Sequence, residues 1–191
     1  MKLPVIVLAL AGLLAATAIR GASGQEPIAV TQSGTDKTFI QLASSGRKNI
    51  AASSNRTGIV WEAVSNGNSS VYIAFKSADA DQFEPAQQLS DSDAFSPAIT
   101  RCGEIFYIAW IEEGGIRATR SDGIGNHKPQ SADTEGDVNE VSIGCEDDKA
   151  LLAYSSRLDN GYRVYALRFT GDAFSNSQPV APADTYRFQT N

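Results

Sequence analysis

The sequence predicts an all-β protein, a β-propeller-like repeat of four-stranded antiparallel blades that is about three blades long. Short runs rich in β-branched and aromatic residues alternate in polarity, as Val71, Ile73 and Phe75 do with their neighbours, which puts successive side chains on opposite faces of a sheet. Turn-forming pairs such as Asn66-Gly67 and Gly114-Gly115 separate these runs,. After the N-terminal apolar run, no stretch keeps a 3.6-residue apolar period long enough for a helix.

The strand-like runs follow one plan three times, beginning near Asn49, Pro97 and Glu140. Matching Trp61, Trp110 and Tyr154 gives spacings of 49 and 44 residues. Four strands in roughly 45 residues are typical of a propeller blade. Closed propellers usually have about 4 to 8 blades, so we expect an incomplete ring or one that oligomerisation completes. An arc that closes on itself as a small barrel-like sheet is the alternative.

Both ends of the repeat add strand-like segments. Phe39–Leu42 is expected to supply one outer strand, and Asp184–Asn191 reads like Asp93–Thr100, the opening strand of a further blade. Edge strands left bare in this way invite pairing with another chain. We therefore expect a protein partner or a homo-oligomer that forms through exposed edge strands.

The first residues predict a secretory signal peptide, with a positive start at Lys2 and an apolar run from Pro4 to Ala18,. The run is shorter than the about 20 residues that a membrane-spanning helix needs. Cleavage motifs of small residues end at Ala18 and at Gly24, and the second is preferred because a polar terminus follows it. An uncleaved anchor is the alternative. The predicted domains are a signal peptide (1–24), an N-terminal extension with an outer strand (25–45) and the propeller-like repeat domain (46–191).

Charge and cysteine usage describe the expected surroundings. The chain has a net charge of −6, and without residues 1–24 it has 14 basic against 22 acidic residues, a net charge of −8. This argues against nucleic acid, and against a membrane surface beyond the signal segment, as a partner. Cys102 and Cys145 each end a short apolar segment of neighbouring repeats, which predicts a disulfide in an exported chain. Two separate buried thiols are the alternative. The expected location is the periplasm or the extracellular space, with membrane anchoring if the signal is uncleaved.

A degenerate motif follows the third strand of the first unit, with Ser77, Asp79 and Phe83 as its members. It resembles the Asp-box of the sialidase-like (BNR) β-propellers, a Ser-x-Asp-x-Gly-x-Thr-Trp hairpin between the third and fourth strands, and the blade plan over residues 46–183 is similar to theirs. Here Asp81 stands at the glycine position and the aromatic residue comes one position early. The resemblance implies that the Ser and Asp side chains bond the loop backbone while the aromatic ring plugs the blade. Ordinary polar hairpins are the alternative. Weaker echoes occur at Ser121–Gly123 and Thr170–Phe174.

The resemblance also implies an alternative activity, that of a sialidase-type glycoside hydrolase. Such an enzyme needs an arginine cluster, a Tyr/Glu nucleophile pair and an acid. The family's early Arg-Ile-Pro segment is missing, and paired surface arginines are the simpler interpretation of the strand arginines. The lone His127 lacks further His or Cys ligands for zinc, and no serine–histidine–acid grouping surrounds it. No catalytic residue is assigned. The strand arginines are Arg101, Arg117, Arg120, Arg157 and Arg163.

One run of oxygen-bearing side chains hints at a metal: Asp133, Glu135, Asp137, Asn139 and Glu140. Calcium takes about 6–8 oxygen ligands. The glycine in this run is misplaced for a helix–loop–helix calcium site and the flanks are strands, so a solvated acidic turn is the preferred interpretation. No cofactor is expected, and calcium is the weak alternative.

The predicted function is an exported, non-catalytic interaction module of the cell envelope or exterior. Its ligand is a protein partner or a glycan, bound through the propeller-like blades. Fold alone does not choose between them, because propellers carry unrelated functions.

Overall fold

The computed structural model describes residues 37–39, 49–159 and 161–180. The predicted signal peptide (1–24), residues 40–42 of the predicted outer strand and the C-terminal strand-like segment at 184–191 lie outside the described residues. Across the described ranges, no helical segment has the length and apolar character of a membrane span. The strands in chain order are β1 (Lys37–Phe39), β2 (Ile50–Ala52), β3 (Arg56–Ser65), β4 (Asn68–Ser77), β5 (Gln87–Gln88), β6 (Ala94–Cys102), β7 (Ile105–Glu112), β8 (Gly115–Ser121), β9 (Gln130–Ser131), β10 (Asp137–Glu146), β11 (Lys149–Leu158), β12 (Gly161–Phe169) and β13 (Gln178–Pro179).

The described strands form three antiparallel sheets that follow one another along the chain. The first has the order β1-β3-β4-β5, with β2 also paired to β3. The second has the order β6-β7-β8-β9 and the third β10-β11-β12-β13. The predicted all-β fold with propeller-like, four-stranded blades is confirmed.

The strand found in the N-terminal extension shares an edge with β2. β1 pairs with Glu62–Val64 of β3, and β2 pairs with Thr57–Ile59 of the same strand. Since β4 holds the other edge of β3, β1 and β2 together take the position that β6 alone has in the second sheet. The described part of the extension therefore lies on the first-strand edge, opposite β5, and not on the outer edge.

The pairing register repeats from sheet to sheet. In each sheet one large side chain of the second strand pairs with a residue of the third strand, which pairs with a residue of the fourth. The equivalent sets are Trp61–Tyr72–Gln88, Trp110–Arg117–Ser131 and Tyr154–Tyr165–Pro179. This register is the alignment that the spacings of 49 and 44 residues predict, and it assigns every strand position an equivalent in the other sheets.

The second sheet lies between the other two and is buried on both faces. β7 is buried at every position after Ile105, and its sequence is a continuous apolar run, as expected for a strand covered on both sides. The cluster between the first and second sheets contains Val60, Val71, Ile73, Phe75, Leu89, Ala94, Ile99, Phe106, Ile108 and Trp110. The cluster between the second and third sheets contains Ala98, Cys102, Tyr107, Ala109, Ile111, Ile116, Ala118, Val138, Val141, Ile143, Ala150, Leu152, Tyr154, Tyr165, Leu167 and Phe169.

Arginines tie neighbouring sheets together at the end of the molecule that carries the β4–β5, β8–β9 and β12–β13 loops. Arg56 of the first sheet donates to the carbonyl of Gly123 in the β8–β9 loop. Arg120 of the second sheet lies 3.1 Å from Asp172 in the β12–β13 loop. Gly123 and Gly171 have φ values of +88° and +101°, and a Cβ at either would collide with the arginine stem. Both loops therefore need glycine for their backbone conformation and for this close approach.

Candidate functional site

The third sheet presents a half-buried apolar face on the side away from the second sheet. We call it the leading face; it consists of Leu151, Ala153, Ser155, Val164 and Ala166, all half-buried. The pairing register makes Tyr107, Ala109, Ile111, Ile116 and Ala118 the equivalents of these residues in the second sheet. All five equivalents are buried between sheets. The leading face therefore has the composition of a surface between blades, although no described sheet covers it.

The first sheet has an apolar face of its own on the side away from the second sheet. We call it the trailing face; it consists of Ile59, Trp61, Ala63, Tyr72 and Ala74. The rings of Trp61 and Tyr72 stack with centroids 5.9 Å apart. Trp61 is 2% exposed, whereas Ile59 and Tyr72 are half-buried. The half-buried pair therefore forms the accessible part of this face.

A polar depression of about 530 Å³ opens at the start of β10 and the end of β11. Its wall carries two carboxylates and a guanidinium, from Asp137, Asp159 and Arg157, beside Gly136 and Leu158. The chain can approach this closely because Gly136 lacks a side chain: a Cβ there would lie 2.4 Å from the carbonyl oxygen of Arg157. The wall therefore combines charges of both signs.

Glu112 is the buried carboxylate of the second sheet, with 5% of its surface exposed. Its Oε1 accepts hydrogen bonds from the backbone N–H groups of Asp91 (3.0 Å) and Ser92 (2.9 Å) and from the Ser92 hydroxyl (3.0 Å). Its Oε2 accepts from the Trp110 indole at 3.1 Å and lies 3.3 Å from Arg117 Nε. Burial by itself raises the pKa of the carboxyl. The hydrogen bonds from Ser92, Trp110 and Asp91 outweigh burial and hold the pKa below its usual value,. The carboxylate thus anchors the loop that enters from the first sheet.

The two predicted disulfide partners are joined. Cys102 ends β6 and Cys145 lies near the end of β10, with their Cα atoms 5.4 Å apart. These strands are the first strands of neighbouring sheets, and β6 packs directly against β10. The bond therefore links two sheets at the strands by which they pack.

The three residues that resemble an Asp-box lie at the end of β4 and in the β4–β5 loop, between the third and fourth strands of the first sheet. Ser77 ends β4, Asp79 is exposed, and Phe83 packs half-buried against the cluster that contains Trp61. In the part of the chain that the structure describes, this loop is held by Lys76, whose ammonium group donates to the Ala80 carbonyl at 2.7 Å.

The turn at Ser121–Gly125 in the second sheet is held by hydrogen bonds between side chains and backbone. Ser121 Oγ accepts from the Gly123 N–H at 3.0 Å and donates to the Gly125 carbonyl at 2.8 Å. Asp122 Oδ1 accepts from the N–H groups of Ile124 (2.8 Å) and Gly125 (3.0 Å). The bonds from Gly125 and Ile124 lower the pKa of the Asp122 carboxyl. Ser and Asp side chains bond the backbone in this way in many turns.

The predicted metal ligands and the lone histidine lie in separate parts of the chain. The acidic run begins in the β9–β10 loop with Asp133 and Glu135 and continues into β10 from Asp137. In the loop, Ser177 donates to the Asp133 carbonyl at 3.0 Å and Tyr154 accepts from the Glu135 N–H at 3.3 Å. His127 is exposed in the β8–β9 loop. Among the described residues, no three His, Cys, Asp or Glu side chains come together as metal ligands would.

Three of the five strand arginines pair with acids. Arg101 lies 3.6 Å from Glu104, Arg117 pairs with Glu112, and Arg120 pairs with Asp172. Arg157 lines the polar depression. The arginines are thus spread over two sheets and are not gathered into one cluster.

No protein-family model and no curated protein matches the chain. Among solved structures, it is similar to the catalytic domain of a GH62 alpha-L-arabinofuranosidase from Coprinopsis cinerea, at 12% sequence identity and a TM-score of 0.48. The match covers 80% of this chain and 54% of that domain, so the chain spans about half of its length. A likeness this weak carries no argument about activity.

The sequence analysis did not identify Glu112 or the leading face as functional candidates. Glu112 is followed by Glu113, and only the approach of the loop at Asp91 and Ser92 distinguishes the two carboxyls. The leading face was detectable in principle, because Ala153 and Ala166 match Ala109 and Ala118 once the repeats are aligned. The signal was the repetition of small residues at positions that pair across strands.

Proposed function

We propose that this chain is an exported, non-catalytic interaction module that binds a protein partner through the leading face of its third sheet. The observation that carries the proposal is the leading face itself. Its residues are half-buried, whereas their equivalents in the second sheet are fully buried by a neighbouring sheet. A protein surface fits this face better than a glycan does, because Leu151, Ala153, Val164 and Ala166 offer no hydrogen-bonding side-chain atoms.

Export is part of the proposal. It rests on the charged, apolar and small-residue order of residues 1–24, and is supported by the Cys102–Cys145 bond, since disulfides persist mainly in oxidising compartments. Likeness to the Asp-box propellers is proposed as well, and the turn at Ser121–Gly123 supports it. Mass spectrometry of the exported chain tests cleavage after Gly24, which would leave Gln25 as the first residue.

Site-specific photo-crosslinking in the native compartment tests the binding. A photoreactive amino acid at Ala166, on the leading face, is expected to give a cross-linked protein product. The same amino acid at the exposed Lys128 in the β8–β9 loop is the control and should give none. A chain that cross-links at neither position, or equally at both, contradicts the proposal.

Glycoside hydrolysis of the sialidase type is the second candidate. The observation that favours it is the polar depression, whose wall offers a carboxyl group as the acid, from Asp137 or Asp159, beside the guanidinium of Arg157. A fluorogenic sialoside assay between about pH 4 and pH 8, with Arg157→Ala as the comparison variant, tests it. Turnover no faster than a blank removes this candidate.

A further inference from the structure

The side chains that meet between sheets differ in size from one contact to the next. Trp110 of the second sheet belongs to the same packed region as Val60 and Ile73 of the first sheet, and Val60 pairs with Ile73 across strands. The leading pair of the second sheet is smaller, Ala109 and Ala118. The third sheet meets that smaller pair with two stacked tyrosines, whose ring centroids are 5.2 Å apart. A leading pair of alanines is thus matched by an aromatic pair. The tyrosines are Tyr154 and Tyr165.

The chain has a second pair of alanines and a second aromatic pair, and no described sheet covers either of them. Ala153 and Ala166 pair across strands on the leading face, at the positions of Ala109 and Ala118. Trp61 and Tyr72 stack on the trailing face, at the positions of Tyr154 and Tyr165. Trp61 is buried, so the ring that another copy of this chain can offer to the alanine pair is that of Tyr72, which lies beside Ile59.

Charge complementarity points to the same occupant. Arg120 of the second sheet reaches forward to Asp172, which lies seven positions after Tyr165. The equivalent of Arg120 in the third sheet is Arg168, whose exposed side chain pairs with Glu146 at 2.7 Å. The residue seven positions after Tyr72 is Asp79, which is exposed. A first sheet set against the leading face would thus bring Asp79 towards Arg168.

We propose that two copies of this chain associate head to tail, with the leading face of each against the trailing face of the other. The inference rests on the proposed function and names its partner. Trp61 is already 2% exposed, so Ile59 and Tyr72 provide the trailing contact surface. Two copies bring together six sheets, a number within the about 4 to 8 blades of closed propellers, and the proposal requires that the head-to-tail contact closes as a two-fold pair and does not continue into a filament.

The leading and trailing faces are better suited to this association than the edge strands of the sheets. The outer edges of the sheets are β5, β9 and β13, each of two residues, and very short edge strands are poor templates for strand addition. Pro179 in β13 lacks the N–H that a further strand would need. The edge pairing expected from the sequence therefore has little backbone to use at these edges.

Sedimentation velocity of the full exported chain over a concentration series tests the inference. The wild type is expected to form a species of twice the chain mass. Ala153→Glu, which puts a charge on the alanine pair, should raise the dimer Kd at least tenfold. Lys128→Glu, in an exposed loop, is the control and should leave the Kd unchanged.

A charge-reversal experiment distinguishes a lost contact from a general loss of folding, because a misfolded protein would not regain the dimer Kd when the second charge is reversed. Arg168→Asp and Asp79→Arg should each weaken the dimer, and the double variant should restore the Kd to within about threefold of the wild type, because opposite charges then face each other again. A wild type that stays monomeric at every concentration, oligomers that keep growing, a Kd unmoved by Ala153→Glu, or no rescue in the double variant would each overturn the inference. A monomer that still cross-links at Ala166 to a different protein overturns it and leaves the proposed function standing. Loss of all cross-linking removes both.

Discussion

Reduction of the Cys102–Cys145 bond is expected to cost a large part of the free energy of unfolding. The cysteines are 43 positions apart, and closing a loop of that length in the unfolded chain corresponds to about 4 kcal/mol in the chain-entropy model. Single domains are stable by about 5–15 kcal/mol, so the reduced protein should retain only a small margin. The melting temperature should fall by about 8–16 °C for a chain of this size.

Urea unfolding of the oxidised protein, of the reduced protein and of the Cys102→Ala/Cys145→Ala variant separates the cross-link from the side chains. The reduced wild type keeps both sulfur atoms, so its loss reports the cross-link alone. The variant adds a small packing loss at Cys102, which is 4% exposed, and little at the exposed Cys145. A reduced protein that loses less than about 1 kcal/mol would refute the reasoning, since the unfolded chain would then gain little freedom from the open loop.

Three further predictions concern single side chains. Glu112→Gln should cost about 1.5–3 kcal/mol in urea unfolding at neutral pH because charged hydrogen bonds are lost, whereas its exposed neighbour variant Glu113→Gln should cost little. The pKa of Glu112 is lowered in the folded protein, so its contribution to the free energy of unfolding is present above the unfolded pKa of about 4.3 and is lost as the pH falls through the folded pKa. A difference in unfolding free energy between variant and wild type that does not shrink in acid would contradict this. Gly136→Ala should lower the melting temperature more than Gly67→Ala, because both have positive φ but only Gly136 faces a backbone carbonyl; equal losses would show that the contact does not matter. Asp122→Ala should speed hydrogen exchange of the two turn amides that it accepts from, while Asp122→Asn, which keeps an acceptor oxygen, should change them less.

The sequence predicted the strands and their register because those depend on local alternation and on turn residues. The run Ile105–Ile111 lacks alternation, and this is itself informative, since a strand covered on both faces loses its polar side. Shorter strands gave weaker signals: Gln130–Ser131 reads only as part of a polar loop, because two residues carry no period. Each is a strand because the long third strand of its sheet offers it an edge.

The candidate site was harder to predict because it depends on what covers each face, and coverage is not a local property. Leu151, Ala153 and Ala166 have the same character as residues that are fully buried in the second sheet. Their alternation indicates an inner face in either case. Only the order of the sheets shows that one such face lacks a described neighbour.

The first sheet differs from the other two at one position of the shared pairing register. Two residues after the large side chain of the second strand stand Glu112 in the second sheet and Ser156 in the third, and both bond the loop that enters from the preceding sheet: Glu112 accepts from the β5–β6 loop, and Ser156 donates to the Glu135 carbonyl in the β9–β10 loop. The first sheet has Ala63 at this position. A methyl group can neither accept nor donate a hydrogen bond, so this sheet cannot hold an incoming loop in the same way. Ala63 is 6% exposed and packs in the same cluster as Trp61, so it belongs to the buried base of the trailing face, beneath Ile59 and Tyr72. At this position the first sheet therefore differs from the other two sheets in a way that fits the proposed dimer. In that dimer the sheet that meets the trailing face belongs to another copy, so no loop runs from it into the first sheet.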